Sequence, residues 1–210
     1  MWLVLLGAPG AGKGTQADFI TAALGVPVIS TGNLLRRAIR ENTPLGQIAQ
    51  QYINDGNLVP DEVVIDLIRE KLADPELTGA IFDGFPRTTE QAKVLDTIVN
   101  VDHAISIEVQ DDVIIHRMEG RRTCPTCQTT FHTEYNAPKQ EGVCDKCGSQ
   151  LVIRKDDRPE VVRDRLATYH QRTEPVKQFY AAQGKLRLIP GEGSITQIRD
   201  SIAEVLGVTL

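Results

Sequence analysis

Short apolar runs alternate along the chain with segments whose apolar residues recur at helical spacing. Five runs have the length of a buried strand, and they cover residues 2–6, 26–29, 79–83, 103–109 and 185–189. The segments between them have the apolar spacing, caps or first-turn residues of helices. This alternation predicts an α/β fold with a five-stranded parallel sheet flanked by helices on both faces. Binding residues are then expected where the strands end at their carboxyl termini.

The pattern breaks between residues 120 and 157, where short polar and β-branched runs replace any helical periodicity. Helical spacing returns at Arg158 and predicts one long helix that ends near Ala182. Earlier in the chain, the spacing predicts another helix over residues 43–57. The break at 120–157 predicts a small inserted segment that carries its own fold within the larger domain.

Composition narrows the class of protein. Of the 210 residues, 41% are hydrophobic and 24% are charged, as in ordinary soluble domains, and no apolar run approaches the ~18 residues that span a bilayer. A net charge of −5 lacks the basic footprint of a protein that binds long nucleic acids. The first strand leads directly into a glycine-rich turn, so we expect no signal peptide and a cytoplasmic location.

A glycine-rich loop from Gly7 to Thr15 joins the first strand to the first helix. Its backbone N–H groups and the positive end of that helix converge on one small volume, and Lys13 adds a cation, as in a phosphate-binding loop. The alternative is an ordinary strand-to-helix turn that happens to contain glycines. Gly14 separates Lys13 from Thr15, which argues against a GTPase, and the Asn-Lys-x-Asp guanine motif is absent from the sequence.

All four cysteines lie in the inserted segment, in two pairs, Cys124 with Cys127 and Cys144 with Cys147, that are separated by 16 residues. This spacing is typical of a four-thiolate zinc site, which leaves no open position for substrate and is therefore structural. Iron is the less favoured metal. The alternatives are a zinc ribbon that binds RNA or DNA, and a pair of redox dithiols.

Five motifs are distributed along the chain: the loop at residues 7–15, Ser30-Thr31-Gly32, Asp83-Gly84-Phe85-Pro86-Arg87, Gly120-Arg121-Arg122 and Arg154-Lys155-Asp156-Asp157. Together they resemble the adenylate kinases with a long, zinc-bearing lid. The resemblance implies the P-loop nucleoside-monophosphate-kinase fold and the reversible reaction of Mg²⁺-ATP with AMP to give two ADP. It also implies a core of residues 1–29, 60–120 and 158–210, an AMP-binding subdomain at 30–59 and a lid at 121–157. The partners would be ATP, AMP and ADP, with no nucleic acid or membrane, and the enzyme would be a monomer.

The resemblance also implies roles for individual residues. Those for ATP are Gly10, Ala11, Gly12, Lys13, Gly14, Thr15, Arg117, Arg121, Thr130, Phe131 and Gly193. Those for AMP are Thr31, Arg36, Asn57, Leu58, Val59, Gly84, Phe85, Pro86, Arg87, Gln91, Arg154 and Arg165, with Gln91 at the adenine edge. The catalytic cations would be Lys13, Arg87, Arg121, Arg154 and Arg165, and Asp83 would orient waters around Mg²⁺. The zinc ligands would be Cys124, Cys127, Cys144 and Cys147.

Two positions depart from the family pattern. Asn33 stands where an aspartate is common, and Gly193 stands where a larger residue is frequent. Neither change removes a phosphate-binding group. By contrast, we expect Arg37, Arg40, Arg69 and Arg172 to be solvated surface charges.

The chemistry implied by the resemblance needs no general base. A phosphate monoester has its second pKa near ~6, so the attacking oxygen of AMP is already ionised. Catalysis then consists of alignment and of cations around an in-line transition state, under a lid that excludes water. Two rivals are a kinase for another nucleoside monophosphate and a nucleic-acid-binding zinc ribbon fused to a P-loop ATPase.

Overall fold

The computed structural model describes residues 1–209, which form a central sheet with helices on both faces and a smaller two-stranded sheet. The strands within these residues are β1 Trp2–Leu6, β2 Val28–Ser30, β3 Ala80–Asp83, β4 His103–Glu108, β5 Arg121–Thr123, β6 Thr130–His132 and β7 Leu186–Pro190. The helices are α1 Lys13–Leu24, α2 Thr31–Arg40, α3 Pro44–Ile53, α4 Asp61–Leu72, α5 Thr89–Ile98, α6 Asp111–Gly120, α7 Pro159–Thr168, α8 Val176–Ala182 and α9 Ile195–Leu206.

The central sheet has the strand order β2-β3-β1-β4-β7, and the neighbouring strands all run parallel. The α/β fold with a five-stranded parallel sheet is thereby confirmed. β1 lies in the middle, with Val4 paired to Phe82 of β3 on one side and to Ala104 of β4 on the other. After β1 the chain forms β2 and β3 on one side of β1, and then β4 and β7 on the other side. The loop after β1 therefore lies at the topological switch point of the sheet, where the strand order reverses.

Both faces of β1 are buried, which explains why its sequence is a continuous apolar run rather than an alternating one. Leu3 and Leu5 face one hydrophobic core, whereas Val4 and Leu6 face the other. Helices α1, α6, α7 and α9 pack on the first face, and α4, α5 and α8 pack on the second. Burial on both sides fixes the strand rigidly beneath the loop that follows it.

Side-chain caps begin several of the helices. Ser194 accepts a hydrogen bond from the backbone N–H of Gln197, and the Gln197 side chain accepts from the N–H of Ser194, which completes a capping box at α9. Thr43 caps α3 with a single hydrogen bond, which its hydroxyl accepts from the backbone N–H of Gly46, and Pro44 lies in the first turn. None of the helices within residues 1–209 is long and apolar enough to traverse a lipid bilayer.

Two helix predictions differ from the structure. The helix expected over residues 43–57 ends at Ile53, because Asn54 to Gly56 form a turn and Gly56 adopts a left-handed φ of 74°. The long helix expected from Arg158 to Ala182 is interrupted by a π-helical turn at Tyr169–Thr173, after which α8 starts behind Pro175. Proline has no N–H to continue the helical hydrogen bonds, so the break falls beside it.

The segment between α6 and α7 forms its own small unit. β5 and β6 pair antiparallel, and further bridges join Thr123 to Val152 and Val143 to Gln150. Its hydrophobic core consists of Cys124, Phe131 and Cys144, with Leu151 packed against them. A core of this size rarely holds a segment together without a metal or disulfides.

Candidate functional site

The loop between β1 and α1 has the backbone conformation of a phosphate-binding loop. Gly10 and Gly12 adopt φ values of 89° and 99°, which side-chain-bearing residues rarely reach. Lys13 folds back over the loop, and its Nζ donates hydrogen bonds to the carbonyl oxygens of Gly7 and Ala8 at 2.7 and 2.8 Å. These two hydrogen bonds hold the lysine ammonium at the rim of the loop.

A single cavity of about 1680 Å³ opens above this loop. Its volume exceeds the range of roughly 300–1,000 Å³ that is typical of one small-molecule site. The cavity walls come from the loop, from α2 and the chain after α3, from the loop after β3, and from the segment between α6 and α7. One cavity therefore has room for two ligands. The core lines it together with two inserted regions, which are residues 30–59 and the segment between α6 and α7.

Cations dominate the wall of this cavity. The basic residues that line it include Lys13, Arg36, Arg87, Arg117, Arg121, Arg154 and Arg165. The carboxylates among the lining residues near them are Asp83, at the end of β3, and Asp156, while Asp157 lies buried behind the wall. The excess of positive charge makes the cavity complementary to a polyanion such as a pair of nucleotide phosphate chains.

The pKa values of these cations reflect the excess of positive charge in the cavity wall. Burial lowers the pKa of Lys13 to about 8, and although Asp83 raises it, Arg87 lowers it further. Burial also lowers the pKa of Arg154, to which the charges of Arg36 and Arg121 add. The Nε atoms of Arg36 and Arg154 are buried and have no hydrogen-bond partner among the described residues. Phosphate oxygens would supply both the missing charge and the missing acceptors.

Carboxylates anchor two of the arginines where the inserted segment joins the core. Arg121 forms a bidentate pair with Asp157, with its Nε donating to Oδ2 at 2.8 Å and its Nη2 to Oδ1. Arg165 of α7 contacts Asp156 Oδ2 at 3.0 Å and Asp157 Oδ1 at 3.3 Å. The side chain of Asp157 is fully buried. These pairs tie together the two ends of the segment and aim both guanidinium groups at the cavity.

The loop after β3 is organised by its own carbonyl. Thr31 Oγ1 and Arg87 Nε both donate to the carbonyl oxygen of Gly84, at 2.7 and 2.8 Å. Arg36 Nη2 donates to Asn33 Oδ1 at 2.8 Å, so the amide at position 33 orients this arginine without adding a negative charge. Ser30 Oγ lies 3.2 Å from Asp83 Oδ2 and holds that carboxylate at the end of its strand.

The cavity brings together nearly all the predicted nucleotide-site residues. The residues implied for ATP all line it, as do those implied for AMP apart from Phe85. Phe85 is 1% exposed, and its ring packs in the hydrophobic core at 6.3 Å from the ring centroid of Phe82. Its side chain therefore supports the loop from behind instead of facing the cavity.

Three contacts were missed by reasoning from the sequence. Arg40 is exposed as predicted, but its Nη1 donates to the carbonyl oxygen of Pro125 in the inserted segment. Asp157 holds Arg121 in place, and Asp61 accepts a hydrogen bond from Gln91. Of these residues, only Asp157 could have been recognised from the sequence, because it belongs to one of the family-like motifs.

The four cysteines converge as a metal site requires. Their sulfur atoms all lie within 4.8 Å of one another, with separations of 3.4 Å for Cys124–Cys147 and 3.5 Å for Cys127–Cys144. Four sulfurs at ~2.3 Å from a zinc ion in a tetrahedron are separated by about 3.8 Å, so the donor set fits. The hydrogen bond between Cys147 and Ser149 lowers the pKa of Cys147 to about 6, whereas burial raises the pKa of Cys144 to about 11. The thiolate form that binds metal is therefore favoured at Cys147, and Cys144 would have to release its proton to the solvent when it binds.

Comparison with known proteins agrees with this geometry. A family model described as "Adenylate kinase" matches residues 5–185. A protein named adenylate kinase from Lachnospira eligens is 45% identical, with 99% of this chain and 100% of that protein covered. A protein of the same name from Salinispora tropica is 47% identical, with 94% of both chains covered. Another from Geobacillus sp. is 46% identical, with 99% of both chains covered.

Proposed function

Because the chain belongs to the adenylate kinase family, it transfers a phosphoryl group between ATP and AMP, and we propose that the two nucleotides share the single cavity. The observation that carries this assignment is the ring of cations contributed by the core and by both inserted regions. Neither rival, a kinase for another monophosphate or a nucleic-acid-binding ribbon fused to an ATPase, is favoured by matches that run through the inserted segment.

The proposed division follows the segments of the chain. Residues 30–59 form the AMP-binding subdomain, residues 121–157 the lid, and residues 1–29, 60–120 and 158–210 the core. ATP phosphates occupy the loop from Gly10 to Thr15, and its base lies near Thr130, Phe131 and the backbone of Gly193. AMP lies against α2, residues 57–59 and the loop after β3. The placement of these residues around one cavity supports the division.

Catalysis by this arrangement is electrostatic. Lys13 and the four arginines Arg87, Arg121, Arg154 and Arg165 surround the place where the phosphoryl group passes from one nucleotide to the other. Charge in the transition state spreads over several oxygens, and cations already held in position stabilise it without reorganisation. We assign no general base, because the attacking phosphate oxygen is ionised at neutral pH.

Two metal ions complete the proposal. Asp83 would hold the waters of a Mg²⁺ ion, which when bound shields the phosphate charges of ATP, and the position of Asp83 beside Lys13 suits that role. The four cysteines would hold a structural Zn²⁺, because all four tetrahedral positions are taken by sulfur. Such a closed site can make the lid rigid but cannot bind substrate.

We further propose that the enzyme acts as a monomer in the cytoplasm, without a nucleic-acid or membrane partner. The residues implied for both nucleotides, apart from Phe85, line one cavity of a single chain, which supports a site that is complete without a second copy. Light scattering at working concentrations tests the oligomeric state, and a rate per chain that is constant on dilution is expected.

The decisive experiment measures ADP formed from ATP and AMP together and from each alone. Lys13→Ala should lower kcat at least ~10²-fold, the cost of removing one preorganised charge donor from a transition state. Lys93→Ala is the matched control, because Lys93 is exposed and contacts only Glu90 on its own helix. ADP formation that does not depend on AMP, or a Lys13→Ala variant that retains wild-type turnover, contradicts the proposal.

A further inference from the structure

The side-chain amide of Gln91 is held by two groups that dictate which way it faces. Its Nε2 donates to Asp61 Oδ1 at 2.9 Å, and its Oε1 accepts from the backbone N–H of Arg87 at 2.7 Å. A carboxylate only accepts hydrogen bonds and a backbone N–H only donates, so the reverse orientation would create two repulsive contacts. The chemistry of the neighbours therefore fixes the amide orientation.

Asp61 is itself held in place. Its second oxygen, Oδ2, accepts a hydrogen bond from Thr88 Oγ1 at 2.8 Å, and the same hydroxyl accepts from the backbone N–H of Gln91 at 3.2 Å. Thr88 and Gln91 are 5% and 2% exposed, respectively. Asp61 starts α4 and Gln91 lies in the first turn of α5, so the carboxylate joins two helices at the wall of the cavity. A network of this kind is rigid and shielded from competing water.

Gln91 lines the cavity, and with respect to residues 1–209 its amide keeps one free N–H on Nε2 and one free lone pair on Oε1. An adenine edge presents an amino donor at position 6 and an acceptor at N1, whereas a guanine or hypoxanthine edge presents the opposite pair. In a base whose pose is fixed by its phosphate and ribose, the orientation of one amide thus decides which edge is bound. A flipped amide would suit the 6-oxo purines instead.

We infer that Asp61 is a specificity-determining residue that makes the enzyme select adenine over 6-oxopurine monophosphates by fixing the orientation of the Gln91 amide. The inference rests on the proposed function, in which Gln91 contacts the adenine edge. Asp61 does not touch the base and acts as a positioning residue. The selection works by exclusion, since the wrong base faces a like group on each side, donor against donor and acceptor against acceptor.

The test compares AMP with inosine monophosphate, which has the reversed edge without the extra amino group of guanine. Asp61→Asn keeps the size of the side chain but can present either a donor or an acceptor, so one of the two repulsive contacts disappears. We expect the AMP to inosine monophosphate ratio of kcat/KM to fall about tenfold, the value of one hydrogen bond to a charged group. Both substrates are measured on one preparation, so a reduced folded fraction cancels in the ratio.

The controls separate positioning from a general structural effect. Glu62→Gln removes a negative charge from the same first turn of α4, but Glu62 is exposed, and the ratio should stay within about twofold of wild type. In a Gln91→Ala background, Asp61→Asn should leave the ratio unchanged, because the amide that contacts the edge of the base is no longer present. Asp61→Glu, which keeps the charge but displaces the carboxylate, is the second variant and should also lower the ratio.

Two results overturn the inference. One is an unchanged ratio in Asp61→Asn, and the other is an equal fall of the ratio with and without Gln91. A wild-type enzyme that forms no ADP from ATP and AMP would instead refute the proposed function itself, so the two failures are distinguishable.

Discussion

Removing one partner of the ion pair between Arg121 and Asp157, at the base of the proposed lid, should cost far more stability than removing one partner of a surface ion pair. The side chain of Asp157 is fully buried, accepts hydrogen bonds from Nε and Nη2 of Arg121, and contacts Arg165. In Asp157→Asn the amide nitrogen would face a guanidinium donor, and Arg121 would lose its counter-charge beside other cations. Breaking a buried ion pair by removing one partner costs about 3–5 kcal/mol.

This cost translates into a measurable shift in melting temperature. For a protein of 150–250 residues, each kcal/mol corresponds to about 2–4 °C, so Asp157→Asn should lower the melting temperature by roughly 10 °C. The matched control is Asp66→Asn, which makes the same chemical change in a pair with Arg69 whose side chains are 75% and 58% exposed. The control should shift the transition by less than about 3 °C, since exposed pairs contribute at most about 1 kcal/mol.

Differential scanning calorimetry of the three proteins at pH 7 and equal salt concentration gives the comparison directly. In Asp157→Asn, the KM for ATP should rise as well, because Arg121 is no longer aimed at the cavity. The reasoning is refuted when Asp157→Asn and Asp66→Asn shift the transition equally, which would mean that the pair at the lid base is solvated like a surface pair.

Three further results are expected. Cys124→Ser should lower the melting temperature by roughly 10 °C and release the bound metal, with kcat at low temperature little changed; a variant that loses turnover but not stability would argue against a structural metal. For the free enzyme, kcat/KM for ATP should fall above pH 8 as Lys13 loses its proton, whereas kcat should fall only at higher pH because bound phosphates favour the charged lysine; profiles from pH 6 to 10 that stay flat would exclude this role. Arg40→Ala should raise the KM for ATP about two- to tenfold by removing the contact to Pro125, and Arg37→Ala, which breaks only a pair with Glu41 in its own helix, should not.

The parts of the fold that the sequence predicts correctly are those set by local patterns. Each strand of the central sheet is a short apolar run, and the phosphate loop is recognisable because its glycines, lysine and flanking elements are contiguous. The cysteine pairs behave similarly, since each pair is a local turn and only the joining of the two pairs is long-range. For these features the information lies within a few residues of the position concerned.

The features that could not be predicted depend on partners far along the chain. The contact of Arg40 joins residues 85 positions apart, and the bond between Asp61 and Gln91 joins residues 30 apart. Arg40 and Asp61 have no distinctive neighbours in the sequence, which is why the sequence predicts Arg40 to be only a solvated surface charge. The π-helical turn before Pro175 is equally hidden, because its apolar spacing continues that of the helices on either side. Tertiary packing decides all three.

The proposed division of the chain also makes lid closure depend on the charge that is bound. Arg36 belongs to the proposed AMP-binding subdomain and Arg154 to the proposed lid, and burial, followed by the charge of Arg36, lowers the pKa of Arg154. The two guanidinium groups thus repel each other when no anion lies between them. Phosphates placed between the two groups would replace this repulsion by attraction to both sides, so we expect the closed state of the proposed lid to gain stability with the charge that is bound. We then expect water to be excluded when both phosphate groups are present to receive the cations, which is the condition that favours transfer to AMP over hydrolysis.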